Sequence, residues 1–551
     1  MSPSRSRQAR RADARRKQKR GARAAAGGGI SASVREALAK TSWRVAGAAV
    51  LLIVVAVVAI VALSSSSSPS EHLLLTGSGY PNFDLSNTRH VGGPIDSATV
   101  SKLGVAWSTP LKAKSEYGSY SSSPIISNGV IFSQDLASNV QAISLKTGKV
   151  LWTKGYEQPD QGPNGLVVAE GRVYGATQSA VFALDEKTGT ELWSVPLVRN
   201  EHEGIDMAPG FHEGIVYAAT VPGTVAKYYG GEGEGILWAL DARTGKRLWH
   251  FDTAPEDLWS KQNVSINSGG GLWYTPAFDG HGSMYIGTAN PAPFPGTEEL
   301  PWGASRPGPD LYTDSLVKLN AKTGKLEWYY QQTPHDIYDW DLQDPPILMN
   351  VGGRQEVIGA GKGGVVIALN PATGKPLWKR PVGTHNGHDN DNLYAMKGEL
   401  SKLSVPETVY PGQLGGVIAP MASNGSTVFV PVVNHPAEFQ SQTEIQENGP
   451  TSGEIVAVDA ATGKVKWEQK LPGPAFGAVT AVNDLVFATT FEGVVYAFAA
   501  GTGDIVWQKQ LPAGTNTGVA VSGDTVIVPA GTALGSGQTP MLVAYRLGAG
   551  G

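Results

Sequence analysis

Three aspartates lie within six residues in the phrase HDIYDWD, at Asp336, Asp339 and Asp341. Carboxylates this close repel one another unless a cation or hydrogen-bond donors compensate them. The spacing therefore predicts a metal ion or a cationic side chain nearby, and a solvated acidic loop is the alternative.

Other residue types exclude several chemistries. The chain has no cysteine, which rules out thiol catalysis, Cys-ligated zinc or iron-sulfur sites and a Cys-x-x-Cys-His haem attachment. No Gly-x-Ser-x-Gly or His-Glu-x-x-His phrase is present, so hydrolase chemistry of those kinds is disfavoured. The phrase THNGHDNDN carries His385 and His388 beside Asp389 and Asp391, for which a polar loop is a better interpretation than a second metal site.

The charge is divided by position. Residues 1–44 contain 13 Lys or Arg and two acids, whereas the remaining residues carry an acidic excess within a total of 44 basic and 48 acidic residues. The basic arm lacks interleaved aromatic residues and leads directly into an apolar segment, so no nucleic-acid partner is predicted.

Residues 45–63 form an uncharged, apolar stretch that is long enough, as a helix, to cross a bilayer. The preceding cations predict a cytoplasmic N-terminus, a single-pass cell-membrane anchor and an extracytoplasmic remainder. A cleaved signal peptide is the alternative. The Ser-rich residues 64–78 predict a flexible tether, which leaves 79–551 as the folded domain.

One phrase recurs seven times after the tether: an apolar run, a Thr-Gly turn and a tryptophan. The tryptophans that end the copies are Trp152, Trp193, Trp249, Trp328, Trp378, Trp467 and Trp507. Each copy predicts two short strands joined by a turn in which glycine adopts positive φ.

The tryptophans are 40 to 89 residues apart, and the shortest spacings fit one four-stranded propeller blade. Trp107 lacks the Thr-Gly turn, and we expect its strand to close the ring by pairing with the C-terminal strands. The sequence thus predicts an all-β, eight-bladed propeller in which these tryptophans pack between blades.

The Thr-Gly-Lys-x-x-Trp repeat resembles the tryptophan-docking motif of the eight-bladed quinoprotein dehydrogenases, the pyrroloquinoline quinone (PQQ) alcohol dehydrogenase family. The resemblance covers about residues 80 to 548 and is strengthened by the ordered phrases GGGLWYTP, GTANPAPF, LYTDSLVKLNAKTGKLEW and HDIYDWD. It implies PQQ with Ca²⁺ or a lanthanide as cofactors, a small alcohol or sugar as substrate, and a separate electron acceptor.

The same resemblance implies roles for individual residues. Trp273 would carry the quinone ring, Asn290 would be a metal ligand through its amide oxygen, and Asn434 would contact the cofactor. Asp339 would be the catalytic base and a metal ligand, Asp341 an additional metal ligand typical of lanthanide-using relatives, and Lys362 the cation directed at a quinone carbonyl.

Three departures from the family pattern accompany these matches. The vicinal cysteine pair near residues 158–160 is missing, Asn164 replaces an arginine, and Gly230 replaces a metal-binding glutamate. Glu232 or Glu234 in the following Gly-rich loop would have to take that ligand role. These losses keep open a second hypothesis, a non-enzymatic propeller scaffold that binds a protein or polymer at the cell surface.

Overall fold

The computed structural model describes residues 79–224, 231–255, 259 and 263–550. The predicted arm, transmembrane helix and tether (1–44, 45–63 and 64–78) lie outside the described residues. Within the described part of the chain, no helix combines the length and apolar character needed to cross a bilayer.

Eight antiparallel sheets, each built on four strands, confirm the predicted eight-bladed propeller. We number the blades along the chain by their innermost strand. Blade 1 consists of Ile125–Ser127, Val130–Gln134, Val140–Ser144 and Val150–Lys154, and blade 2 of Leu166–Ala169, Arg172–Ala176, Ala180–Asp185 and Glu191–Pro196. Blade 3 consists of Gly210–His212, Ile215–Ala219, Ile236–Asp241 and Arg247–Asp252, and blade 4 of Ala277–Phe278, Ser283–Gly287, Ser315–Asn320 and Leu326–Gln331. Blade 5 consists of Ile347–Val351, Arg354–Gly359, Val365–Leu369 and Pro376–Pro381, and blade 6 of Ala422–Ser423, Thr427–Asn434, Ser452–Asp459 and Val465–Leu471. Blade 7 consists of Thr480–Val482, Leu485–Thr490, Val494–Ala499 and Ile505–Gln510, and blade 8 of Ala520–Ser522, Thr525–Ala530, Met541–Leu547 and Leu103–Pro110.

The ring closes as the sequence predicts. Leu103–Pro110, which contains Trp107, pairs antiparallel with Met541–Leu547 and is the outer strand of blade 8. Joining the two ends of the domain in one sheet leaves no blade incomplete and removes an edge that would otherwise be exposed.

The repeated tryptophans and glycines contact each other between blades. A Cβ atom added to Gly463 would lie 2.6 Å from the ring of Trp378, and the Trp378 indole donates to the Ala460 carbonyl at 2.8 Å. The turn glycine also has a φ of +68°. The repeat therefore needs glycine for two reasons, its backbone conformation and the space occupied by the tryptophan of the preceding blade.

The first described residues, 79–91, cross the inner strands of five blades. Their carbonyl groups accept hydrogen bonds from the backbone N–H groups of Val168, Phe278, Leu348, Ser423 and Ala481. His90–Val91 also pairs in parallel with the inner strand of blade 7. This segment satisfies backbone groups on inner strands that would otherwise lack partners.

Small elements interrupt the propeller. In the part of the chain that the structure describes, they are the helix Asp391–Met396, the 3-10 helices Val100–Lys102 and Leu400–Lys402, the strand pair Ser268–Gly269 with Pro291–Ala292, and a sheet of Glu407–Val409, Ala437–Phe439 and Ile445–Gln446. The last of these sheets packs through Val409, Ala437 and Phe439 against Tyr338 and Trp340, which flank Asp339. The insertions therefore cover the loop that carries the candidate base.

Candidate active site

Lys362 brings the two predicted carboxylates together. Asp339 and Asp341 lie in the loop between blades 4 and 5, and Lys362 follows the second strand of blade 5. The Lys362 Nζ atom is 2.9 Å from Asp339 Oδ2 and 2.7 Å from Asp341 Oδ2. All three side chains are nearly buried. The cationic neighbour that the acidic phrase predicts is thus present in the chain itself.

Asn290 completes this group. Its backbone N–H donates to Asp341 Oδ1 at 2.7 Å, which places the residue beside the acidic pair. Its side-chain oxygen is buried and receives no hydrogen bond, and the same is true of Asp339 Oδ1. Two adjacent residues therefore each present a buried oxygen that lacks a donor.

The electrostatics of Asp339 follow from its burial. Burial raises the pKa of this carboxyl well above its usual range; Lys362 opposes the shift and Asp341 reinforces it. The protein thus holds a carboxyl group whose charged form needs additional positive charge.

The backbone of the acidic loop is not extended at its centre. Asp339 has a φ of +64°, so the alternation of side chains along an extended segment does not bring Asp339 and Asp341 to one side. Asp336 shapes the loop instead, because its carboxylate accepts the backbone N–H groups of Tyr338 at 2.8 Å and Trp340 at 2.5 Å. Asp336 is therefore a loop-forming residue, and the convergence of Asp339 and Asp341 arises from a turn.

Arg306 is a central residue that the sequence analysis missed. Its buried guanidinium forms an ion pair with Asp310 and donates to the carbonyl groups of Pro293 at 2.9 Å and Asp336 at 2.5 Å. It thereby ties the loop after Asn290 to the acidic loop. The available signal was an Arg and an Asp four residues apart in RPGPD, a phrase that otherwise looks like a surface turn.

Asp314 was missed as well. Its backbone N–H donates to the Ala289 carbonyl at 3.1 Å, next to Asn290, and both of its carboxyl oxygens are buried without a donor. Burial, reinforced by Asp336 and Asp341, raises its pKa well above the usual range. It is a further carboxyl group within electrostatic range of the site.

The two predicted cofactor contacts outside this group differ in how they are held. Trp273 is half-buried and its indole N–H has no partner. Asn434 is held within the fold, since its Oδ1 accepts the Thr384 backbone N–H at 2.7 Å and its Nδ2 donates to Glu454 at 3.2 Å.

Two acids near Gly230 were considered as replacements for the missing glutamate. Gly230 lies outside the described residues. The Glu234 carboxylate pairs with Arg199 at 2.8 Å, and Glu232 is exposed. Arg199 compensates the charge of Glu234, and the ligand role considered for these two acids stays a prediction.

The histidine phrase lies in a polar segment that leads into the helix Asp391–Met396. His385 pairs with Asp389 at 2.9 Å and His388 with Asp391 at 2.8 Å. Across the residues that the structure describes, no three His, Cys, Asp or Glu side chains form a group suited to a metal ion.

The donor set at Asn290, Asp339 and Asp341 nevertheless fits a hard cation, because it consists of one amide and two carboxylates. Two of its oxygens lack donors, and the buried carboxyl groups of Asp339 and Asp314 both have raised pKa values. For a flat anionic quinone, the half-buried indole of Trp273 and the ammonium of Lys362 are suitable contacts.

Comparison with known proteins agrees with the propeller fold. A glucose/ethanol/alcohol dehydrogenase β-propeller family model matches residues 209–386, and an outer membrane protein assembly factor BamB model matches residues 397–550. The quinohemoprotein alcohol dehydrogenase of Comamonas testosteroni is 28% identical, over 79% of this chain and 68% of the relative.

Two solved structures share the fold. Quinohemoprotein alcohol dehydrogenase ADHIIG from Pseudomonas putida HK5 superimposes with a TM-score of 0.73 and 22% identity, over 86% of this chain and 80% of that one. A europium-containing methanol dehydrogenase gives a TM-score of 0.71 and 19% identity, over 87% and 100% of the two chains. Alignments to the first curated relatives span from about half to about two thirds of their length.

Proposed function

We propose that this chain, a PQQ-repeat β-propeller homologous to the quinoprotein alcohol dehydrogenases, oxidises a small alcohol or sugar with PQQ and a metal ion. The observation that carries the proposal is the buried group of Asn290, Asp339, Asp341 and Lys362. In this group an amide oxygen and a carboxylate oxygen lack donors beside a lysine.

Asn290, Asp339 and Asp341 would hold the cation, and Trp273 and Lys362 would contact the quinone. When bound, the quinone supplies the two-electron acceptor and the cation supplies Lewis acidity. The ion is Ca²⁺ or a lanthanide, and the extra carboxylate of Asp341 favours the more highly charged ion.

Asp339 is the residue that takes the alcohol proton. Its Oδ1 has no partner and its Oδ2 is fixed by Lys362 at 2.9 Å, so one oxygen is oriented and the other is available. A buried carboxylate with a raised pKa is a stronger proton acceptor than an exposed one. Lys362 opposes that shift in pKa and so favours the charged form.

The aromatic wall beside Asp339 favours a small organic substrate. Tyr338 and Trp340 are buried against Trp302 and Phe439, and the Trp340 indole donates to Pro411 at 3.0 Å. Such a wall excludes water from the base, which strengthens electrostatic interactions within the site.

Electrons leave to a separate acceptor in this proposal, because the cysteine-free chain has no Cys-x-x-Cys-His haem motif. Residues 45–63 would anchor the protein in the cell membrane, with the propeller extracytoplasmic. The apolar length of that segment and its basic N-terminal flank support this location.

The test is dye-linked alcohol oxidation by the full chain, supplied with PQQ and either Ca²⁺ or a lanthanide. Asp339→Asn should reduce turnover by on the order of 10²-fold to 10⁴-fold, because it removes the base but keeps the shape. Asp504→Asn, in an exposed turn, is the matched control and should retain activity. If wild type shows no activity with any metal, the scaffold hypothesis replaces the enzyme.

A further inference from the structure

Glu454 is a fully buried carboxylate that the proposed chemistry leaves without a role. It lies in the third strand of blade 6, Ser452–Asp459, and none of its side chain is exposed. Its Oε1 accepts the side-chain amide of Asn434 at 3.2 Å, and its Oε2 pairs with Lys470 on the neighbouring outer strand. Burying a carboxylate is costly unless its partners compensate it, so the position of Glu454 needs a structural or a functional reason.

Asn434 is connected to the candidate active site through the backbone. It ends the second strand of blade 6, and the residue before it, Val433, exchanges two backbone hydrogen bonds with Gly416 at 2.8 and 2.9 Å. Gly416 packs on Lys362, since a Cβ atom added to this glycine would lie 2.0 Å from the Lys362 carbonyl oxygen. The strand end that carries Asn434 is therefore held next to the residue that contacts both candidate carboxylates.

Two partners set the orientation of the Asn434 amide. Its Oδ1 accepts the Thr384 backbone N–H at 2.7 Å, and its Nδ2 donates to Glu454. Turning the amide over would place a donor against the Thr384 N–H and an acceptor against a carboxylate, so one orientation satisfies both partners. Among the described residues, Glu454 takes one of the two hydrogens on Nδ2, and the second N–H keeps a fixed direction.

A fixed N–H suits the proposed cofactor, because the carbonyl and carboxylate oxygens of PQQ are hydrogen-bond acceptors. The negative charge of Glu454 alone would repel an anionic quinone, and the ion pair with Lys470 compensates it. A carboxylate is also the group that can accept from Asn434 and Lys470 together. A glutamine in its place would have one acceptor oxygen for the two donors.

We propose that Glu454 is a positioning residue for the cofactor, which fixes the amide of Asn434 so that its second N–H donates to the quinone. The inference rests on the proposed function, because it requires a quinone beside Asn434. Glu454 itself touches neither quinone nor substrate, so its effect on quinone binding passes through Asn434. A residue that only stabilises blade 6 would not show this dependence.

The experiment is a double-mutant cycle on the affinity of the full chain for PQQ, measured by equilibrium dialysis with Ca²⁺ or a lanthanide. Glu454→Gln should raise the Kd roughly tenfold, because one amide oxygen cannot accept from both Asn434 and Lys470. Asn434→Ala should raise the Kd at least as much. The double variant should have the Kd of Asn434→Ala, because Glu454 then has no amide to position.

Glu468→Gln is the matched control. Glu468 pairs with Lys470 at 2.6 Å, so this variant removes a carboxylate from the same lysine and leaves the bond between Glu454 and Asn434 in place. It should keep the Kd of the wild type. If Glu454→Gln does not fold, Glu454→Asp replaces it in the cycle, because it keeps the charge but withdraws the carboxylate by one methylene group.

Two results would overturn the inference while the wild type still binds PQQ. One is a Kd that does not change in the Glu454 variant. The other is an equal loss of affinity with and without the Asn434 amide, which would show that Glu454 acts through the stability of the blade. A wild type that binds no PQQ with any metal is a different result, since it refutes the proposed function and this inference with it.

Discussion

Replacing Lys362 with methionine is the most informative perturbation of the candidate active site. The side chain of Lys362 is 11% exposed, and those of Asp339 and Asp341 are 6% and 1% exposed. Methionine retains much of the aliphatic volume and removes the charge, so two buried carboxyl groups would remain without their cation.

Removing one partner of a buried ion pair costs about 3–5 kcal/mol, because the remaining charge is uncompensated. Protonation of one aspartate limits that cost. The variant should further raise the pKa of Asp339, because it removes the charge of Lys362 that opposes the shift. An acid whose pKa is raised in the folded state contributes stability that is complete below its unfolded pKa and is lost as pH rises towards its folded pKa. The difference in stability between wild type and Lys362→Met should therefore be small at pH 5 and widen towards pH 8.

The assay is urea-induced unfolding of the full chain in the presence of EDTA, repeated after addition of Ca²⁺ or a lanthanide. Metal should raise the urea midpoint of Lys362→Met more than that of wild type, because the ion replaces the missing positive charge. Lys362→Arg is the matched control and should retain most of the stability. Equal midpoints for wild type and Lys362→Met at every pH would refute this account of the buried group.

Three further outcomes are expected. Asp341→Ala should reduce lanthanide-supported alcohol oxidation more than Ca²⁺-supported oxidation in a metal titration, and equal losses would leave Asp341 without a role in metal choice. Gly463→Ala should lower the free energy of unfolding by about 1–3 kcal/mol more than Gly129→Ala, because both glycines have positive φ but only Gly463 faces the Trp378 ring. His388 has a pKa raised mainly by its hydrogen bond to a neighbouring carboxylate, so its stabilisation is complete below its unfolded pKa and is lost as pH rises through the higher folded value. Hydrogen exchange of the helix Asp391–Met396 should quicken over that range, after correction for intrinsic rates, but not in His388→Gln.

Much of the propeller could be predicted because its information is local and periodic. Seven Thr-Gly-x-x-x-Trp phrases predict the blades, and the position of Trp107 predicts the closing strand Leu103–Pro110. The course of residues 79–91 could not be predicted in this way. Their carbonyl groups pair with inner strands that are up to several hundred residues distant, and no repeat in the sequence records those contacts.

The candidate site was predicted less completely. The acidic phrase indicates a cation, and Lys362 meets that expectation, but the positive φ of Asp339 is not visible in the residue types. Asp314 was overlooked because the absence of a donor at a buried carboxyl group depends on the whole packed environment.

The most direct test of the central claim is the binding of PQQ to the purified full chain. The protein is incubated with PQQ and Ca²⁺ or a lanthanide, separated from unbound quinone, and examined by absorbance. Our account predicts one bound quinone per chain that is retained in Asp339→Asn while alcohol oxidation is lost. Absence of bound quinone with every metal would contradict it.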